Sequence, residues 1–184
     1  MQGAMIFTIG HSTRPIEAFL ECLQRHGVRQ LVDVRTSPGS RRNPQFGAAA
    51  LARSLARADI LYAQIGALGG RRRPAPDSPN GAWRNLSFRG YADHMASPEF
   101  ALGLAELLAR AELAPTAIMC AEAVPWRCHR SLIADALIAR GVVVRDIFAV
   151  DQVRPHALSP MAVVEDGVVR YPPTPAAQLD LLAP

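Results

Sequence analysis

The segment from Ile118 to Leu137 constrains the fold most strongly. Its front end continues an apolar run, Thr116 to Met119, that reads as a buried strand; its back end reads as an amphipathic helix. The short loop between them holds Cys120, Glu122, Arg127, Cys128, His129 and Arg130. Loops between the carboxyl end of a strand and the amino end of a helix are where open α/β sheets place their sites. The free N–H groups of the helix's first turn favour an anion in the same place. The segment thus predicts a layered α/β fold and the position of a site within it.

The rest of the chain supplies the other layers. Met5 to Gly10 predicts a first buried strand ended by glycine. A helix follows, with Thr13 as its N-cap, Pro15 in its first turn and Ile16, Phe19, Leu20 and Leu23 at helical spacing before Gly27. Gln30 to Val34 is a second strand, with Asp33-Val34-Arg35 at its end and a polar loop from Thr36 through Ser37 to Pro44 behind it. Ala48 to Ala58 reads as a helix and Ile60 to Ile65 as a third strand. From Gly66 to Gly90 the pattern dissolves into Gly, Pro, Arg, Asn and Ser, a length that marks a loop as functional or disordered. Tyr91 to Met95 starts a helical region, and Ser97-Pro98 opens a helix that runs to about Ala114. Past the central segment, Gly141 stops its helix, Val142 to Phe148 forms a strand, and Asp166-Gly167 signals a hairpin. The expectation is a single α/β domain over residues 1–171, a mostly parallel sheet flanked by helices with a C-terminal hairpin, then a proline-rich tail over 172–184.

Composition narrows the chemistry. All 20 basic residues are arginine, so Schiff-base lysines and lysine-containing phosphate loops are excluded. Eleven arginines lie between Arg29 and Arg89 against three acids, Asp33, Asp59 and Asp77, a local net charge of +8 in a chain of net +4. That region is a candidate anion-facing surface. No apolar run reaches the roughly 18 residues of a membrane span, and the N-terminus lacks a secretory pattern. The three cysteines are odd in number and unevenly spread, which suggests no disulfide framework and a cytoplasmic setting.

Each chemistry-bearing residue has more than one reading. The helix start and the neighbouring Arg127, His129 and Arg130 would lower the pKa of Cys128 and make it the better thiolate. Cys120 and Cys22 read as buried thiols. Glu122 suits general acid–base work or pairing with an arginine, and it disfavours a plain anion cradle around a thiol. Cys120, Cys128, His129 and His11 could also serve a metal, although their spacing matches no standard site and the metal and cofactor content stays open. His11, Asp33 and Arg35 follow strands and would face the same crevice. Asp33 could equally bind Arg35 or cap an amide.

Thr8-Ile9-Gly10-His11-Ser12, Asp33-Val34-Arg35 with Pro38 and Ser40, Leu68-Gly69-Gly70, Tyr91-Ala92, Met119-Cys120-Ala121-Glu122 and Cys128-His129-Arg130 occur in this order. Together they resemble the domain of unknown function 488 family, over about Ile6 to Phe148. The resemblance implies a shared site and little specific chemistry. Leu31-Val32-Asp33-Val34-Arg35 and the strand ending in cysteine look more distantly like a rhodanese domain, which would imply sulfur transfer.

The leading expectation is an intracellular enzyme acting on a small anionic or nucleotide-like substrate. Its catalytic candidates are Cys128, His129, Glu122, His11 and Cys120; its binding candidates are Ser12, Asp33, Arg35, Ser37, Tyr91, Arg127 and Arg130. The competing class is a nucleic-acid-binding module that uses Arg71-Arg72-Arg73 with Trp83, Phe88 and Tyr91 as phosphate contacts and stacking rings.

Overall fold

Alternating side chains along the apolar runs serve two cores, one on each face of a sheet. A computed structural model describes residues 5–39 and 41–173; Ser40 and residues 174–184, most of the proline-rich tail, lie outside the described residues. The strands are β1 (Met5–Gly10), β2 (Gln30–Asp33), β3 (Leu61–Gln64), β4 (Thr116–Cys120), β5 (Val143–Ala149) and β6 (Gln152–Pro155). They form one six-stranded sheet in the order β3-β2-β4-β1-β5-β6, parallel except for β6, which runs antiparallel to β5 at the edge. The helices are α1 (Ile16–Arg25), α2 (Ala48–Arg57), α3 (Leu86–His94), α4 (Pro98–Leu113) and α5 (Arg130–Ile138). Phe7, Ile9, Leu31, Ala117 and Met119 pack with Phe19, Leu23, Leu51 and Leu55 of α1 and α2 on one face. Ile6, Val32, Ile118 and Cys120 pack with Tyr91, Phe100, Leu104, Leu132 and Leu137 of α3, α4 and α5 on the other.

Register then decides where the site falls. Gly10 of β1 pairs with Cys120 of β4, and Asp33 of β2 with Met119. The residues that leave these three strands therefore emerge side by side at one edge of the sheet. Gly10 is required there: a Cβ on it would overlap the backbone carbonyl of Glu122, which crosses the end of β1.

Several local expectations need correction. Thr13 is not the cap of α1; Pro15 occupies that position, with no side-chain hydrogen bond, because its fixed φ already suits the helix entry. The helical region expected from Tyr91 starts earlier, where Asn85 accepts hydrogen bonds from the backbone N–H of Ser87 (2.9 Å) and Phe88 (3.3 Å). Ser97 does cap α4, accepting from the Phe100 N–H at 3.1 Å. The long loop is an organised structure pinned by Asp93, which accepts from the Ala75 N–H (2.9 Å), Ser78 Oγ (2.6 Å) and Asn80 Nδ2 (2.8 Å). α5 is buried on almost every side rather than amphipathic, from Leu132 through Leu137. The strands β7 (Val163–Glu165) and β8 (Val168–Arg170) form a hairpin, with Asp166 and Gly167 both at positive φ as a two-residue turn of that kind requires. Val169 of β8 and Tyr171 join the same core as α5. No helix among the described residues is long and apolar enough to cross a membrane.

Candidate functional site

The carboxyl ends of β1, β2 and β4 open into a cavity of about 690 Å³. His11, Ser12, Arg35, Ser37, Cys120, Glu122, Cys128 and His129 all line it, so the structure brings together eight of the residues that the sequence nominates. Asp33 lies behind the wall, and Arg130 is buried beneath the loop. Tyr91 and Arg127 line a second cavity of about 320 Å³ that shares Gly70, Arg71, Glu122, Cys128 and His129 with the first.

Arg35 is held before any ligand arrives. Its Nε donates to Asp33 Oδ1 at 2.8 Å and its Nη2 to Asp33 Oδ2 at 2.6 Å, a two-point pairing; Nη2 also donates to the Phe46 carbonyl at 2.9 Å. Asp33 is fully buried and also accepts from Tyr62 Oη at 2.9 Å. Burial and the adjacent carboxylate together push the Tyr62 phenol far up, so it stays a donor. Asp33 thus positions Arg35.

The two histidines have their tautomers set by backbone carbonyls, which can only accept. His11 Nδ1 lies 2.8 Å from the Ser12 carbonyl and must carry the proton. Its Nε2 is then the acceptor for Arg35 Nη1 at 3.3 Å. His129 has the opposite arrangement: Nε2 lies 2.8 Å from the Val34 carbonyl, so Nδ1 presents a lone pair towards Cys128 Sγ at 3.6 Å. Burial, the largest effect, lowers the pKa of both rings; His129 falls to about 4, with Arg130 and Arg72 adding to the shift. Gly70 makes room for this ring, because a Cβ there would press on His129 Nδ1. Both nitrogens of each ring are already engaged. Among the described residues no group of three or more His, Cys, Asp or Glu could hold a metal ion.

Cys120 and Cys128 are joined through their Sγ atoms across the loop, which corrects the expectation of unpaired cysteines. Their separation is only eight residues, and the fold turns the loop back so that its two ends meet. Cys22 alone is free; it is buried in the opposite core, and burial raises its thiol pKa. Arg130 organises the loop from below. Its Nη1 donates to Cys120 Sγ (3.0 Å) and the Glu122 carbonyl (2.5 Å), its Nη2 to the Ala123 carbonyl (3.0 Å), and its Nε to Thr8 Oγ1 (3.3 Å). It is 1% exposed, and burial lowers its pKa to about 10. Arg130 grips the backbone of Glu122 and leaves the carboxylate without a hydrogen-bond partner among the described residues.

The arginines of the Arg29–Arg89 stretch divide by role. Arg41, Arg42 and Arg71 join Arg35 in lining the larger cavity. Arg72 instead makes a two-point pair with Glu99 at 3.1 Å, and Arg89 donates to the Trp83 carbonyl at 2.9 Å. The sequence shows the excess of charge and points to Arg71, with Arg72 and Arg73, only as a nucleic-acid contact; it does not single out Arg41 or Arg42, whose signal is present only as clustering. Two cavity residues, Ser12 and Arg71, hold positive φ (50° and 63°) without being glycine. Such backbone costs on the order of 1–3 kcal/mol and gathers at functional sites.

An α/β protein with a mostly parallel sheet and an arginine-lined crevice at its strand ends is therefore the class that fold and site define. A family model, "Domain of unknown function DUF488", matches residues 15–137, and the chain belongs to that family. No curated protein and no solved structure matches the chain, and the likeness to rhodanese domains gains no support from these comparisons.

Proposed function

We propose that this member of the DUF488 family is an enzyme acting on a small anionic substrate in the crevice at the ends of β1, β2 and β4. One observation carries the reading: four arginines line a single concavity against one carboxylate, Glu122, beside a histidine whose lone pair points at a cysteine sulfur. Arg35, Arg41, Arg42 and Arg71 hold the anion. Once an external thiol has reduced the Cys120–Cys128 bond, the Cys128 thiol can donate a hydrogen bond to His129 Nδ1, which orients this sulfur as the candidate nucleophile. Glu122, exposed and without a hydrogen-bond partner among the described residues, is the carboxylate placed to accept a proton from the substrate.

The concave arrangement of these cations favours a small anion over a nucleic acid, which would call for an open basic face. Isothermal titration of the reduced protein with inorganic phosphate, and separately with duplex DNA across a salt series, tests the choice. Saturable phosphate binding at one site per chain is expected. DNA binding that weakens steeply with salt, without phosphate binding, would transfer the protein to the nucleic-acid class.

A further inference from the structure

The larger cavity does not end at Cys128 and His129. Both residues, with Gly70, Arg71 and Glu122, also line the second cavity of about 320 Å³. Its remaining walls are different in kind. Phe88 supplies half-buried ring surface there, backed by the buried Tyr91, and Arg127 stands exposed at the rim. Phe88 stacks on Trp83 at 4.8 Å with only 20° between the rings, and the Tyr91 hydroxyl is anchored to the Leu68 carbonyl at 2.7 Å. Both rings are thus fixed in place before a ligand binds. A planar guanidinium such as that of Arg127 can stack on a ligand ring as well as pair with charge.

The crevice therefore has a cationic half and an aromatic half that meet at the cysteine–histidine pair. The carboxylate of Glu122 lies at the junction with no hydrogen-bond partner among the described residues, so it can accept from hydroxyl or amino groups of a ligand. An inorganic anion or a simple organic acid would use one half only. From this juxtaposition we infer that the substrate class is a nucleoside monophosphate or a close analogue. Its phosphate sits on Arg35, Arg41, Arg42 and Arg71, its sugar hydroxyls face Glu122, and its base lies against Phe88, with Tyr91 packed behind and Arg127 at the rim. Cys128 and His129 then face the part of the ligand that joins base to phosphate. The inference rests on the anion-binding reading above and adds the ring to it.

Calorimetric titration of the reduced full chain with inorganic phosphate, with the four common nucleosides and with their 5′-monophosphates tests it. At least one monophosphate should bind tenfold or more tighter than phosphate and tighter than its own nucleoside. Phe88→Ala should remove most of that advantage while leaving phosphate affinity within about twofold. Phe88→Leu keeps the apolar volume and serves where the alanine variant folds poorly; it too should lose the preference. If phosphate binds but every monophosphate binds no better, the ring pouch is refuted and the anion reading stands. If phosphate does not bind at all, both readings fall. If the Phe88 variants weaken phosphate and monophosphate equally, Phe88 merely supports the fold and the pouch is again refuted.

Discussion

His129 turns Nε2 to the carbonyl of Val34, 2.8 Å away, and so turns its other nitrogen to Cys128. The carbonyl of Val34, the residue after β2, therefore selects the tautomer of the residue that precedes α5. In reduced protein this predicts that His129→Gln slows alkylation of Cys128 by iodoacetamide near neutral pH, by roughly tenfold or more. Peptide mass spectrometry reads the rate directly. Equal rates in the two proteins would remove His129 from proton transfer.

Stability should depend on pH from two sides. His129 is held neutral in the fold, its pKa lowered from 6.5 to about 4, so the unfolded chain binds the proton first. Its contribution is complete above 6.5 and is lost as pH falls towards 4. His156 lies between Asp146 (2.7 Å) and Asp135 (3.5 Å), and these carboxylates, overcoming burial, raise its pKa to about 9. That contribution is complete below 6.5 and is lost as pH rises through 9, an effect on the order of 1–3 kcal/mol. The melting temperature should peak near pH 6.5. In His156→Gln the alkaline decline should flatten while the acid decline remains; an unchanged alkaline limb would contradict the assignment.

Arg130 is legible in the sequence as a candidate anion contact, but its place in the opening turn of α5 gives no sign of which way it points. The structure directs it inward, onto two carbonyls and a sulfur. Arg130→Lys cannot satisfy these acceptors together, and a buried unsatisfied group costs about 1–3 kcal/mol. A fall in melting temperature of about 3–10 °C is expected for a chain of this size. A variant that melts like the parent but has lost phosphate binding would restore the anion-contact role.

The contrast shows what the sequence could carry. Apolar alternation in Phe7, Ile9, Ala117 and Met119 and the Asp166-Gly167 pair are local signals, and they placed the strands and the hairpin. β6 escaped notice because Gln152 to Pro155 is a short, polar edge strand that buries little. The adjacency of His11, Arg35, Cys128 and His129 followed from strand ends lying together, whereas the separation of Tyr91 and Arg127 into a second cavity depends on side-chain packing that spacing does not encode. The Cys120–Cys128 link was hidden for the same reason: a loop's return path is set by the buried arginine beneath it.

That link makes its own prediction. Thiol titration of the oxidised, denatured chain should find one free thiol, Cys22, with Cys120 and Cys128 in one linked peptide pair. After reduction of the folded protein, Cys128 should react before Cys22, whose thiol is buried in the opposite core and raised in pKa. Three free thiols in oxidised protein, or Cys22 modified first, would contradict this.

The central claim is that the crevice is an anion site, and Arg41 and Arg42 test it most directly. Both line the larger cavity and both are exposed, so their removal leaves the core untouched. The measurement is the phosphate dissociation constant of reduced parent and Arg41→Ala/Arg42→Ala protein by calorimetry, with melting temperature as the control. Each lost charge-assisted contact is worth about 1.5–3 kcal/mol, so the double variant should bind at least tenfold more weakly while melting within a few degrees of the parent. Unchanged phosphate affinity in a folded double variant would contradict the account.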